Sequence, residues 1–353
     1  MDAAAGLRTM IGAELSRVAP ETVRAFTPAE RLPDGAVWIS WERHRRTREL
    51  SRSLHAELVE LTSRSRWLVR YPILLWQTVW RLARRRPSVL LVQCPSVLLG
   101  VWVSLLKHAF GYRLVADLHN EAVVPFNYSG RLYLAALRFI HRTADVSVVS
   151  NDALKRVVEQ HGGRAFALPD RIPGLAVRPH ALENAARPAV VFVCTYAPDE
   201  PFLEVIDAAR LIGPSIDLYV TGNPRRMKRA VAVPSHVHLT GFLSESAYER
   251  LLARADVIVD LTMMDDCLVC GAYEAVALAK PLVTSDTPAL RQYFRNGTIY
   301  SAHDPVSLAA AITRALGMRR QLAGEMAALR RDLRAEWTTR RDALCALLKQ
   351  EVD

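Results

Sequence analysis

The sequence predicts an α/β protein built from two doubly wound parallel sheets. Three observations carry that expectation. Short apolar, β-branched runs alternate with stretches of helical periodicity, as when crossover helices wind a parallel sheet. A length of 353 residues suffices for two such domains, each with its own core. Residues 171–188, rich in Pro and Arg and without periodicity, divide the alternation in two. The expected organisation is a prelude over 1–35, a first domain over 36–170, a linker over 171–188, a second domain over 189–317 and a closing helix over 318–353.

Composition narrows the function. Half of the residues are hydrophobic and the formal charge is +10, which suits polyanionic partners such as nucleotide diphosphates, anionic lipid surfaces or nucleic acid. No recognised nucleic-acid-binding module accompanies the arginines, so nucleic acid is not expected as a partner. Five cysteines give no disulfide framework. Cys267 and Cys270 lack a second Cys or His pair at zinc spacing, so no metal is expected and a reducing cytoplasm fits best. There is no signal-peptide pattern, and no charge-free stretch has the length of a membrane span. Val89–Leu106 is the longest apolar stretch; Gln93 to Ser96 break it into strand, turn and helix.

In chain order, Leu7, Met10, Ile11, Leu15 and Val18 have helical spacing, which fits a short amphipathic helix or a frayed terminus. Asp34-Gly35 is a turn, and Ala36–Ser40 the first strand. The loop from Trp41 to Arg46 opens a helix running toward Leu61. It carries Arg43, His44, Arg45 and Arg46 where a doubly wound sheet binds its ligand. These side chains either meet phosphate or form a solvated basic face. A Gly-rich dinucleotide fingerprint is missing there, which disfavours a nicotinamide cofactor.

Trp67 to Arg86 combines Trp67, Tyr71, Trp76 and Trp80 with a basic end at Arg81, Arg84, Arg85 and Arg86. That mixture suits a helix lying on an anionic membrane surface, or a core helix whose basic last turn complements its dipole. Ser88–Gln93 is a buried strand, Leu98–Phe110 a helix, and Tyr112–Asp117 the next strand. This last ends in Asp117, His119, Asn120 and Glu121, where a crevice should lie. Helix Leu132–Thr143, strand Val146–Ser150, a helix from Asp152 and a short strand Arg164–Leu168 complete the first domain.

The second domain alternates likewise: strand Ala189–Cys194, a helix from Phe202, strands Leu218–Thr221 and His236–Thr240, and a helix from Glu245. The most informative stretch follows. Val257–Leu261 is a buried strand, Thr262–Gly271 a polar loop, and a helix opens around Ala272 with Glu274 in its first turn. Lys280-Pro281 ends that helix before the strand Leu282–Asp286. Gly271 at a helix start lets backbone N–H groups approach a phosphate, and a carboxylate at Glu274 suits ribose hydroxyls. Asp266, eight residues earlier, can reach a transferred sugar. An ordinary acidic helix start explains the same residues. Leu308–Leu316 is helical, and a long charged helix follows from Arg319, with Trp337 as a candidate anchor.

The acidic pair Asp266 and Glu274, followed by Ala275-Val276-Ala277-Leu278-Ala279-Lys280-Pro281-Leu282-Val283-Thr284-Ser285-Asp286, resembles the donor-site motif of glycosyltransferase family 4 and its GT-B relatives. Val92-Gln93-Cys94-Pro95-Ser96 and Leu114-Val115-Ala116-Asp117-Leu118-His119-Asn120 resemble the acceptor half of the family that β-mannosylates lipid-linked chitobiose. Cys194-Thr195-Tyr196-Ala197-Pro198-Asp199-Glu200-Pro201-Phe202 resembles the opening of that family's second domain. The chain departs from family 4 in having Asp266 for the usual Glu, Cys267–Gly271 for a Gly-Phe-Gly-like loop, and no Arg or Lys at the second-domain opening. Arg225, Arg226 or Lys228 are the available substitutes.

The resemblance implies a GT-B fold, two Rossmann-like domains facing across a cleft, and hexosyl transfer from a UDP- or GDP-sugar. It implies a glycan or polyprenyl-linked acceptor, met by a peripheral protein at the inner face of the cytoplasmic membrane, in polysaccharide or glycoconjugate biosynthesis. The resemblance carries donor-binding roles to Glu274 and Cys270–Gly271 only; Asp266, Thr195, Gly222 and Arg225 are the further candidates for the donor side. Acceptor-side chemistry falls to Asp117, His119 and Glu121, with Glu42 behind them. A carboxylate takes the acceptor proton if transfer inverts, whereas His119 contacts the donor sugar if it retains. No cofactor or metal is implied beyond the donor itself. A sugar-nucleotide epimerase of the same fold and a non-catalytic basic binding protein are the alternatives.

Overall fold

The computed structural model describes residues 32–63, 65–94, 96–126, 130–177, 187–227 and 231–350. The amphipathic helix expected within residues 1–30 and Lys228 lie outside them.

The first sheet has six parallel strands in the order β2-β1-β3-β4-β5-β6. These are β1 (Val37–Ser40), β2 (Glu57–Glu60), β3 (Val89–Cys94), β4 (Arg113–Leu118), β5 (Val146–Val149) and β6 (Ala165–Ala167). Helices α1 (Arg45–Leu54), α2 (Trp67–Arg85), α3 (Val97–Phe110), α4 (Arg131–Thr143) and α5 (Asp152–Gln160) wind it. One expectation is corrected here. The first helix does not run to Leu61: His55 takes a left-handed conformation after Leu54, and Glu57–Glu60 forms a strand. The amphipathic run Glu57-Leu58-Val59-Glu60 is an edge strand with Val59 turned inward, and strand alternation is easily absorbed into a neighbouring helical pattern.

The second sheet has six parallel strands in the order β12-β11-β10-β7-β8-β9. They are β7 (Ala189–Phe192), β8 (Asp217–Thr221), β9 (Val237–Gly241), β10 (Val257–Asp260), β11 (Leu282–Ser285) and β12 (Thr298–Ser301). The helices are α6 (Phe202–Ile212), α7 (Glu245–Arg254), α8 (Cys270–Leu278), α9 (Pro288–Tyr293) and α10 (Pro305–Gly317). Strands β1, β3, β5, β7, β10 and β11 are buried along their whole length, which is why each reads as a continuous apolar run.

Helix α11 (Arg319–Gln350) belongs to both halves. Met326, Leu329 and Leu333 pack in the second-sheet core beside Phe294 and Ala275. Trp337, Leu344, Cys345 and Leu348 pack under the first sheet with Trp38, Leu50 and Leu91. Trp337 Nε1 donates to the carbonyl of Pro169 at 3.0 Å.

Strand order locates the ligand crevices. In the first sheet the order reverses between β1 and β3, and in the second between β7 and β10. Ligands of open α/β sheets bind outside the carboxyl ends of strands at such points. A separate polar contact braces the first domain. His141 on α4 is fully buried, its Nε2 lies 2.9 Å from the Ala122 carbonyl, and its Nδ1 lies 3.1 Å from Nδ1 of His161. Burial holds both imidazoles below their ordinary pKa, with His161 further lowering His141. The folded state therefore favours their neutral forms, and their contribution is lost as pH falls below the unfolded value of about 6.5. Urea unfolding at pH 7 and pH 5 should show a smaller stability loss on acidification for His141→Gln than for the native chain; equal losses would contradict this account.

Candidate active site

The buried side of the first crevice is a polar chain. Ser40 Oγ, at the end of β1, donates to Gln93 Oε1 at 2.6 Å, and Gln93 Nε2 lies 3.4 Å from His119 Nε2. Below them Arg46, in the first turn of α1, is buried and grips Asp117 Oδ1 through Nε at 3.1 Å and Nη2 at 3.0 Å. Its Nη1 pairs with Asp170, and Nη2 also donates to the Leu168 carbonyl at 3.2 Å. Arg46 loses hydration on burial, but Asp117 and Asp170 more than compensate and raise its pKa. One guanidinium thus joins the ends of β4 and β6 to the start of α1.

Of the three acid–base groups expected here, each is engaged. Asp117 is buried and committed to Arg46, a structural pairing in which no free carboxylate faces the crevice. His119 is largely enclosed, and burial drives its pKa down to about 4, with Arg46 and His44 lowering it against the pull of Asp117. It is a neutral imidazole at neutral pH. Glu121 lies in the middle of a short 3-10 turn (Asn120–Ala122), and its Oε2 accepts from the Phe126 N–H at 3.1 Å.

In the second domain the loop after β7 folds back on itself. Glu200 Oε2 accepts from the N–H groups of Thr195 at 2.8 Å and Ala197 at 2.9 Å, and Oε1 from Thr195 Oγ1 at 2.9 Å. Such a concave array of amides is an anion site, here held by the chain's own carboxylate. Tyr196 adopts φ 59° to form it. Gly222, at φ 89°, permits the approach of β8: a Cβ there would lie 2.2 Å from the Cys194 carbonyl oxygen. Arg225 is exposed on a short turn over Pro224–Arg226, and Arg226 Nη1 reaches the Thr195 carbonyl at 3.4 Å.

Helix α8 corrects a local expectation. It begins at Cys270, with Val269 as N-cap, so Glu274 falls in the second turn rather than the first. Gly271 faces inward: a Cβ would lie 2.7 Å from Asp260 Oδ2 and from Val193 Cγ2. The N–H groups of Gly271 and Ala272 are directed to the buried Asp260 carboxyl. Burial, with Glu200 and Glu274 nearby, holds that carboxyl well above the usual carboxylate range, and its Oδ2 lacks a hydrogen-bond partner among the described residues. Asp260 was not expected as a site residue, because inside the run Val-Ile-Val-Asp-Leu it reads as the polar end of a strand. Cys270 is exposed at the helix start, and burial beside Asp260 and Asp199 pushes the Cys267 thiol up to about 12.

Glu274 lies at the seam between the domains. It is buried, Oε2 accepts from the Tyr248 hydroxyl on α7, and Oε1 faces Arg45 Nη1 of the first domain at 3.5 Å. Burial raises its pKa, opposed by Tyr248 and Arg45. Two further contacts cross the seam. The backbone carbonyl of Asp266 accepts from Asn151 Nδ2 at 2.8 Å, and the N–H of Asp170 donates to the Tyr273 hydroxyl at 3.3 Å. The Asp266 side chain is half-buried and has no hydrogen bond among the described residues. The structure therefore brings Glu274, Asp266, Cys270 and Gly271 together with Thr195 at one switch point, and His119, Asp117 and Glu121 at the other. Arg45 and Tyr248 were missed as partners of Glu274, since only folding makes them neighbours. Among the described residues no three His, Cys, Asp or Glu side chains gather as a metal site.

Residues 187–318, which span the second sheet and its crossover helices, match the family described as glycosyl transferases group 1. No curated protein matches the chain. Solved structures similar to it include Anabaena HepE in complex with UDP and glucose, 14% identical with a TM-score of 0.64, covering 89% of this chain and 90% of that one. Sucrose-phosphate synthase from Thermosynechococcus elongatus is 16% identical with a TM-score of 0.65, covering 84% and 83%. A candidate UDP-N-acetylglucosamine 2-epimerase from Listeria monocytogenes is 14% identical with a TM-score of 0.57, covering 82% and 90%. The fold is GT-B, and with the group 1 domain it supports glycosyltransferase activity.

Removing one partner of a buried ion pair strands the other charge, at a cost of about 3–5 kcal/mol. Arg46→Met should lower the unfolding free energy by about that amount in urea titration, and Arg46→Met with Asp117→Leu should recover part of it. A loss for Arg46→Met below about 1 kcal/mol, the value of an exposed pair, would show that the cluster is not what holds α1.

Proposed function

We propose that the chain transfers a hexosyl group from a UDP- or GDP-sugar to a glycan or polyprenyl-linked acceptor at the inner face of the cytoplasmic membrane, in polysaccharide or glycoconjugate biosynthesis. The observation that carries this reading is Glu274. It is a carboxylate at the second-domain switch point, turned to the domain seam and met there by a first-domain arginine. A donor entering the seam exchanges Arg45 at Oε1 for ribose hydroxyls, while Tyr248 keeps Oε2 in place. The freed guanidinium of Arg45 then meets the diphosphate, joined by Arg225 and Arg226 from the turn after β8. Asp266, its backbone fixed by Asn151, offers a carboxylate to the sugar hydroxyls. The UDP-glucose complex of HepE favours a uridine donor. Epimerisation of the sugar nucleotide is the second reading, favoured by the Listeria relative, and product analysis separates the two: free epimerised nucleotide would replace transfer.

The membrane assignment rests on α2. Leu74, Thr78 and Leu82 face the core, whereas Trp67 and Trp76 are each 69% exposed and Leu68 is 65% exposed. Arg81 and Arg84 stack on Trp80 at 5.1 and 5.3 Å from its centroid. Aromatic rings with cations around them suit the headgroup region of an anionic bilayer, whereas a solvated helix seldom exposes three tryptophans. Among the described residues no helix is long and apolar enough to cross a membrane.

A ligand that binds only the folded state raises its melting point. A thermal-shift screen over UDP-, GDP- and dTDP-linked sugars should find a stabilising donor, and Glu274→Ala should abolish that shift with the fold intact; a variant that binds its donor normally refutes the assignment. The native chain should float with vesicles containing phosphatidylglycerol. Trp67→Ser with Trp76→Ser should bind them about tenfold less well or worse, since each ring contributes on the order of 1–2 kcal/mol of apolar burial. Undiminished flotation would remove α2 from the membrane contact.

A further inference from the structure

Among the described residues of the first domain, the exposed large apolar side chains gather on one of its two faces. Helices α2, α3 and α4 pack side by side over the sheet and share one core through Leu74, Val103 and Ile140. Helices α1 and α11 cover the opposite face through Leu50 and Leu344. Away from the shared core, Trp76 and Trp80 on α2, Leu105 on α3 and Phe139 on α4 are exposed. The first turns of these three helices stand at the carboxyl ends of β2, β3 and β4, the end at which the crevice opens. Apolar side chains face outward there as well: Trp67, Leu68 and Val69 in α2, Leu98 in α3, and Leu132, 85% exposed, in α4. Val124 and Phe126, also exposed, follow directly on the loop that carries His119 and Glu121.

Charge follows the same face. Helices α2, α3 and α4 contain no Asp or Glu. Arg85 and Lys107 are spent on Glu57 and Asp145, whereas Arg81, Arg84, Arg131 and Arg138 form no ion pair among the described residues. A surface that joins exposed apolar groups to uncompensated arginines fits an anionic lipid leaflet: the acyl boundary takes the first and the headgroups take the second. It does not fit a second copy of this chain, because a two-fold contact would set arginines against arginines.

Resting on the glycosyltransferase reading above, we propose that the whole α2–α3–α4 face, and not α2 alone, docks on an anionic bilayer with the mouth of the first-domain crevice at headgroup depth. The first turns of the three helices enter the acyl boundary, and the arginines of α2 and α4 meet lipid phosphates. A lipid-anchored acceptor then keeps its chain in the bilayer while its sugar hydroxyl reaches the crevice. The protein holds the head of the acceptor, and the membrane holds its tail.

The test uses the full chain with phosphatidylcholine vesicles, with and without phosphatidylglycerol, and leaves α2 unaltered. Leu105→Ser with Leu132→Ser should weaken flotation with the anionic vesicles about tenfold or more. Arg131→Glu with Arg138→Glu should weaken it about as much and reduce the preference for phosphatidylglycerol. Leu211→Ser, exposed on α6 of the second domain, should change neither. Lipids with a nitroxide just below the headgroup should quench the added signal of Leu132→Trp and not that of Leu211→Trp. Melting points and circular dichroism spectra of all variants should match the native chain.

Undiminished flotation of both α3–α4 pairs, or quenching of Leu211→Trp rather than Leu132→Trp, overturns the proposal while the glycosyltransferase reading stands. A native dimer that Leu105→Ser with Leu132→Ser dissociates overturns it too, since the face then joins two copies. A native chain that no sugar nucleotide stabilises overturns the glycosyltransferase reading and the acceptor's place here, whereas flotation and quenching still decide the docking face.

Discussion

The geometry of the cleft depends on where Arg46 sits. Its guanidinium is buried with Asp117, Asp170 and the Leu168 carbonyl, tying α1 to the ends of β4 and β6. A buried charge stripped of water is tolerable only with such complete pairing, so the position of α1 along its axis has little freedom. His44 and Arg45 precede Arg46 directly, and pinning Arg46 inward places them at the rim. Arg45 then spans to Glu274, and His44 lies on His119.

The second domain shows the complementary constraint. The loops at its switch point carry Asp199, Glu200, Asp260, Asp266 and Glu274, an acidic surround for the anionic donor proposed above. Two of these acids take up backbone N–H groups that could otherwise face a phosphate: Glu200 in the loop after β7, and Asp260 at the start of α8. Positive charge for a diphosphate must therefore come from outside that loop. On the proposed reading that charge comes from Arg225 and Arg226 after β8 and from Arg45 of the opposite domain. On this account donor binding is a property of the two domains together, because each provides what the other lacks.

Helix α11 sets how those halves meet. Its first half packs with Phe294 and Ala275 and its second half with Trp38 and Leu50, so one continuous helix is shared between the two cores. Trp337 lies near the crossover and bonds the Pro169 carbonyl at the exit of the first domain. The polar seam contacts, Arg45 to Glu274, Asn151 to Asp266 and Asp170 to Tyr273, are few and exchangeable by comparison. Apolar packing of α11 thus supplies the lasting connection, and the contacts a ligand would have to displace are hydrogen bonds.

Much of the architecture was legible because doubly wound sheets write themselves locally. A strand buried on both faces must be apolar throughout, as in Val-Ile-Val at β10, and a crossover helix must follow it, so alternation is visible in one dimension. The acidic motif from Asp266 to Glu274 was visible for the same reason, since its spacing lies within a single unit. Short-range competition hides the rest: the residues of β2 continue the helical pattern before them, and α8 starts at Cys270, which puts Glu274 in the second turn. Partnership was settled only in three dimensions. Nothing in the neighbourhood of Asp117 foretells that Arg46, 71 residues away, neutralises it, and Arg45 is 229 residues from Glu274. Burial and ion pairing are sums over every atom that folding brings near. The chain alone therefore determined which residue types the site possesses, and the tertiary structure decided which of them are spent on stability and which still face the cleft.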